Sequence, residues 1–138
     1  MKKRVVIIIS IIAVFSLLMA CVAFYVVPLV KANQCVGYAN RNCLEDDYEG
    51  TLISAENIKK LQVVDEEIIK QQDYYINIDT ETDYTIQSLN KVSIMWDINV
   101  TAYKDIIESD SIEYNQKCET VIEFKNFEWV ITSVNIIE

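Results

Sequence analysis

The sequence predicts an α+β domain carried behind one N-terminal membrane-spanning helix. Three observations predict it. Val5 to Val30 is a run of 26 residues without a charge, Ser54 to Gln72 shows one amphipathic helical period, and β-branched and aromatic residues crowd the C-terminal half. At 138 residues the chain has room for one small domain and an appendage.

The uncharged run comes first. As a helix it would extend roughly 39 Å, more than the roughly 30 Å of a bilayer's hydrocarbon core. Lys2, Lys3 and Arg4 precede it, and Lys31, Arg41 and an acidic cluster follow. That asymmetry favours a cytoplasmic N-terminus and an exported remainder. The division is 1–4 cytoplasmic, 5–30 a transmembrane signal anchor contacting the lipid bilayer, and 31–138 an extracellular or lumenal domain. Two other readings of the segment stay open. One is a cleaved secretory signal, whose apolar stretch is normally shorter. The other is a lipoprotein signal, because Leu18-Met19-Ala20-Cys21 has the form of a lipobox, although VAFYVVPLV after it remains apolar. Pro28 lies close enough to the outer end of the helix to cost little.

Beyond the anchor, nine Lys or Arg face all 21 acids, a formal −12. Such a field repels nucleic acid. Cys35, Cys43 and Cys118 lie in this region, an odd number in an oxidising compartment. Only seven residues separate Cys35 from Cys43 in CVGYANRNC, and Gly37, Asn40 and Asn42 tolerate turns. The expectation is a disulfide-closed hairpin, Cys35 to Cys43. Bonds from either cysteine to Cys118, or free thiols in a cytosolic domain, are the alternatives. A surplus cysteine, Cys118 first, is a candidate for a bond between two chains and hence a homodimer. Asn99-Val100-Thr101 is the single N-x-[ST] triplet, an acceptor for glycosylation at Asn99 if the domain is exported.

Within the domain, Ile58, Leu61, Val64 and Ile68 fall at helical spacing, with Lys59, Lys60, Glu66 and Lys70 on the other faces and Ser54 able to cap the first turn. One amphipathic helix is expected. Tyr74 to Ile78 reads as a short strand closed by the acidic turn DTETD, and VSIMWDINVTAY, from Val92 to Tyr103, as another strand. Cys118 to Glu138 divides into ETVIEF and EWVITSVNII around Lys125-Asn126. Ile122 and Phe124 share one face of the first; Val130, Val134 and Ile136 share one of the second. The sheet is expected to be antiparallel.

These features, in this order, resemble a C-type lectin-like domain of the natural killer receptor type, including divergent versions on poxviral membrane proteins. CVGYANRNC resembles its opening hairpin, TLISAENIKKLQVV its second helix, and Tyr74-Tyr75-Ile76-Asn77-Ile78 its Tyr-Trp-Ile-Gly-Leu strand. Trp96-Asp97, Cys118 and Trp129 keep roughly its closing spacing. The family's first helix, its terminal cysteine and the usual partner of Cys118 are missing. So are the Glu-Pro-Asn and Trp-Asn-Asp triplets that hold calcium and sugar. The resemblance therefore implies calcium-independent recognition of another membrane or secreted protein, in a viral envelope or immune-modulating role. FKNFEWVITSVNIIE, in turn, resembles the last strands of small bacterial nuclear-transport-factor-2-like domains. That likeness implies an anchored or lipidated accessory protein that binds a small molecule or stabilises an envelope complex. It asks for longer helices ahead of the sheet than Lys31 to Asp73 easily provides.

No catalytic, cofactor or metal assignment is made from the sequence. Histidine is absent, and Gly37 and Gly50 are the two glycines available for any elbow or phosphate loop. Asp79-x-Glu81-x-Asp83 alternates carboxylates as a calcium loop does, but Tyr84 and Asn90 stand where that loop needs glycine and glutamate. A zinc site would need a carboxylate beside three cysteines. The chain reads as a binding protein and not an enzyme.

Overall fold

The computed structural model describes residues 2–41, 53–71, 73–104 and 111–137. It is α+β, as expected. A long apolar helix leads into a sheet of four antiparallel strands in the order β1-β2-β3-β4, each hydrogen-bonded to the strand before it in the chain. The strands are β1 (Tyr75–Ser88), β2 (Lys91–Tyr103), β3 (Ser111–Lys125) and β4 (Glu128–Ile137).

The leading helix runs without a break from Lys3 to Asn40, 38 residues, through α1 (Lys2–Cys21), a π-helical segment (Val22–Val26) and α2 (Val27–Asn40). Its two halves meet different surroundings. From Val5 to Cys21 every side chain is exposed, although nearly all are apolar. From Phe24 onward the same helix packs on the domain: Pro28, Ala32, Cys35, Val36 and Ala39 form a buried stripe at helical spacing. Alanines and a cysteine at the contact let the helix lie close to the sheet. Residues 24–30, read from the sequence as the end of the anchor, thus also begin the domain core.

Pro28 explains how the two halves join. It has no N–H to give the carbonyl of Phe24 four residues back. The hydroxyl of Tyr84, from β1, donates to that carbonyl instead. Around this bond Tyr25 lies 4.6 Å from the Tyr84 ring, and Phe24 meets Trp129 edge-on at 5.8 Å, centroid to centroid. Lys31 Nζ reaches Glu128 Oε1 at 3.8 Å on the same side. A proline tolerated near the membrane exit therefore becomes the point where the sheet grips the helix.

The stretch read as one amphipathic helix is two short ones, α3 (Ala55–Leu61) and α4 (Glu66–Lys70). Ser54 caps the first as expected, accepting from the Asn57 N–H at 3.3 Å. The break has a cause in α2. The side chain of Asn40, fully buried, accepts from the N–H groups of Val63 at 2.7 Å and Val64 at 3.3 Å, and donates to the carbonyls of Leu61 at 2.9 Å and Val36 at 3.0 Å. It takes the backbone groups that a continuing helix would have used. After the break the phase resets, so that Ile69 is buried in the core beside Ile58, Leu61 and Val64, with Ile68 half-buried against it.

The sheet corrects two more expectations. Asp79 to Asp83 is the middle of β1 and not a turn. Asp79, Glu81 and Asp83 alternate with Thr80 and Thr82, so the carboxylates share the face away from the helices. On β4 the buried residues are Trp129, Ile131 and Val134, with Val130 on the other face from Ile131. A bulge opposite Val121 and Ile122 leaves Thr132 unpaired and switches the alternation partway along the strand. Asn57 of α3 covers that irregularity, accepting from Val134 N–H at 3.2 Å and donating to the Thr132 carbonyl at 3.5 Å. The inner face of β2 is Val92, Ile94, Trp96, Ile98 and Val100, facing Cys118 and Ile122 of β3. Trp96 Nε1 donates to Thr120 Oγ1 at 2.8 Å, so the indole is satisfied inside the core.

Two-residue turns join β1 to β2 (Leu89-Asn90) and β3 to β4 (Asn126-Phe127). In the second, both residues have positive φ, 51° and 65°, the combination of a type I′ hairpin. Asparagine accepts that conformation readily; phenylalanine does so at a steric cost.

Two stability changes follow. Asn40→Leu strands the Val63 and Val64 N–H groups without a partner and is expected to lower unfolding free energy by about 3 kcal/mol, read as a lower denaturant midpoint at constant slope. Phe127→Gly removes a side chain that packs on nothing and relaxes the turn, raising stability by about 1 kcal/mol in the same assay.

Candidate functional site

The polar face of α2 and the neighbouring edge of the sheet enclose the best candidate, a cleft of about 470 Å³. Asn33, Gln34, Gly37, Tyr38 and Arg41 line it from the helix, and Ile78, Asp79 and Thr80 from β1. The helical residues recur at i, i+1, i+4, i+5 and i+8, so they form one continuous strip beside the buried stripe. The cleft exists because α2 crosses the sheet but leaves its β1 edge uncovered.

Gly37 sits in the helical wall, and a Cβ built there meets no other atom within 4 Å. The glycine is therefore not required for close packing; its bare backbone leaves the cleft open. Glycine inside a helix costs about 1 kcal/mol relative to alanine, which here goes uncompensated by any contact. The wall offers the Asn33 and Gln34 amides and the Arg41 guanidinium on one side and the Thr80 hydroxyl on the other, while the Asp79 side chain alternates to the far face of β1. Such a set has the chemistry to hold a small polar molecule, or a short polar segment, by directional hydrogen bonds with Ile78 as an apolar floor.

The predicted site residues lie elsewhere. Cys35 is buried in α2 with a free thiol, and Cys35 to Asn40 is helix and not one arm of a hairpin. Cys43, its expected partner, falls outside the described residues. Cys118 is 0% exposed on the inner face of β3, also as a free thiol. The folded domain presents no sulfur there to a second chain. Asn99 is exposed on the outer face of β2, where Asn115 Nδ2 donates to its Oδ1 at 2.6 Å and to Asp97 Oδ1 at 2.7 Å. Lys117 Nζ stands 3.4 Å from Asp97 Oδ2 in the same cluster. Among the described residues no group of three or more His, Cys, Asp or Glu side chains is placed to hold a metal ion.

The cleft was within reach of the sequence. A helical period over Asn33 to Arg41 aligns its polar residues, although the turn-tolerant Gly37, Asn40 and Asn42 point to a loop.

Burial pushes both core thiols up to about 11 from an ordinary 9.0; Lys31 near Cys35 and a hydrogen bond with Gln116 at Cys118 act in the opposite direction. Burial likewise raises the Tyr84 phenol to about 12, helped by the neighbouring Tyr25. Below pH 9 folded and unfolded chains hold these thiol protons alike and the full stability is present. Between about 9 and about 11 the unfolded chain releases them first, so stability falls as pH rises. The denaturant midpoint is expected to drop across this window, and less steeply in a Cys35→Ala, Cys118→Ala double variant.

Compared with protein-family models, with curated proteins and with solved structures, the chain matches none.

Proposed function

We propose that the chain is a single-pass membrane-anchored accessory protein whose domain works by binding, taking a small polar ligand or a polar segment of an envelope partner into the α2–β1 cleft. One observation carries this reading. The helix long and apolar enough to cross a bilayer is continuous with the helix that closes the domain core and walls the cleft. Anchor and binding surface are then one element, which suits a protein that must hold a site at a set position beside a membrane.

Of the two resemblances, the nuclear-transport-factor-2-like one accounts better for this arrangement. Its shortage of helix ahead of the sheet is removed once α2 begins at Val27, inside the apolar run. The lectin-like reading needs a hairpin at 35–43, of which Cys35 to Asn40 is helical, and one helix where α3 and α4 are separate. The cationic Lys2, Lys3 and Arg4 support a cytoplasmic N-terminus, with the acidic domain on the far side. Exposure of Asn99 is compatible with that side. Lipidation at Cys21 would leave the domain whole, since packing starts at Phe24.

A photo-crosslinking phenylalanine analogue at Thr80, in the full chain in its native membrane, tests the cleft. A discrete adduct is expected, and it should disappear when Gly37→Leu fills the space. An adduct pattern unchanged by Gly37→Leu, or identical to that from the same probe at Asn99, would refute the assignment. Protease protection of residues 31–138 in sealed inside-out vesicles checks the orientation.

A further inference from the structure

The two hairpin turns lie at the end of the sheet where the helix enters, and both carry exposed apolar tips. Leu89 is 85% exposed and Phe127 95%. The turns are neighbours, since the Phe124 N–H donates to the Asn90 carbonyl at 2.8 Å. The first does not stop at the base of the domain. Ile86 and Leu89 stand alongside Leu18, Cys21, Val22 and Tyr25 of the leading helix, enclosing an apolar groove of about 650 Å³.

Helix length sets the depth of that groove. About 20 residues span a hydrocarbon core, so a span starting at Val5, after the cationic Lys2, Lys3 and Arg4, ends near Phe24. Tyr25, 49% exposed and packed on the half-buried Tyr84 ring at 4.6 Å, then stands where an interfacial aromatic is expected, at the level where helix and headgroups meet. Leu18 and Cys21 lie roughly 6–10 Å below Tyr25 along the helix. A hairpin tip lying beside them lies within lipid.

Charge agrees. Lys31, Lys91 and Lys125 surround this end, against Glu123 and Glu128, and both glutamates are paired: Lys125 Nζ to Glu123 at 2.6 Å, Lys91 to Glu123 at 3.7 Å, Lys31 to Glu128 at 3.8 Å. With its glutamates paired, this end of a strongly acidic domain can approach headgroups without repulsion. The left-handed turn at Phe127 places a large apolar side chain outward at a steric cost, which its packing within the chain does not offset.

We infer that Leu89 and Phe127 enter the bilayer that the helix crosses, on the domain's side, so that the domain is seated on the lipid at three points. This rests on the anchoring proposed above. The test uses the full chain with Cys21→Ala and Cys43→Ser, reconstituted in phosphatidylcholine–phosphatidylglycerol vesicles. An environment-sensitive fluorophore is attached at Leu18→Cys, Leu89→Cys, Phe127→Cys or Ser111→Cys, the last at the far end of β3. Blue-shifted emission, quenched by doxyl-labelled lipid at 18, 89 and 127 but not at 111, is expected. Quenching at 18 with 89 and 127 as water-exposed as 111 overturns the inference and leaves the anchor standing. No quenching at 18 overturns both. Blue-shifted emission at 89 and 127 that lipid quenchers do not reach overturns it in favour of a second copy covering the tips.

Discussion

The buried amide of Asn40 is the constraint on which the helical layer depends. Its two N–H groups and its oxygen are engaged in four hydrogen bonds, tying the last turn of α2 to the link between α3 and α4. An asparagine with no access to water is tolerable only when its polar atoms are satisfied, and here the backbone of the link satisfies them. In return the link is held out of a helical path, which turns α4 so that Ile69 closes the core. Asn57 repeats the device between α3 and β4. Two asparagines thus position α3 and α4, helices of seven and five residues that are too short to be stable alone.

Much of the sheet was legible. β2 is legible almost to the residue because β-branched and aromatic residues dominate Val92 to Tyr103 and no helical period fits, and the β3–β4 corner because Lys125-Asn126 interrupts two apolar alternations. β1 runs longer than expected because three acids in five residues suggest a turn, although their period of two is the stronger signal: alternating charge is what a strand with one solvated face requires. The bulge at Thr132 could not be read, because it depends on how β4 meets β3 and not on β4 alone.

The helical half was less legible, for a tertiary reason. Nothing local distinguishes the helix at Asn33 to Asn40 from a polar loop, since Gly37, Asn40 and the nearby cysteines favour turns; it is helical because Ala32, Cys35, Val36 and Ala39 find the sheet. The split between α3 and α4 likewise depends on a residue 21 positions earlier than Leu61. The cleft inherits this opacity, because half of it is the polar strip of α2.

The unbroken helix also works as a ruler. With its axis fixed at the proline joint by Tyr84 and by the contact of Phe24 with Trp129, the strip from Asn33 to Arg41 stands roughly 12–24 Å above the level of Tyr25. Whatever the cleft receives is met at a set standoff from the lipid, and each residue inserted or deleted between Tyr25 and Asn33 would alter that height by about 1.5 Å while swinging the strip about 100° around the axis. On the binding reading proposed above, recognition is a matter of altitude and bearing as much as of chemistry.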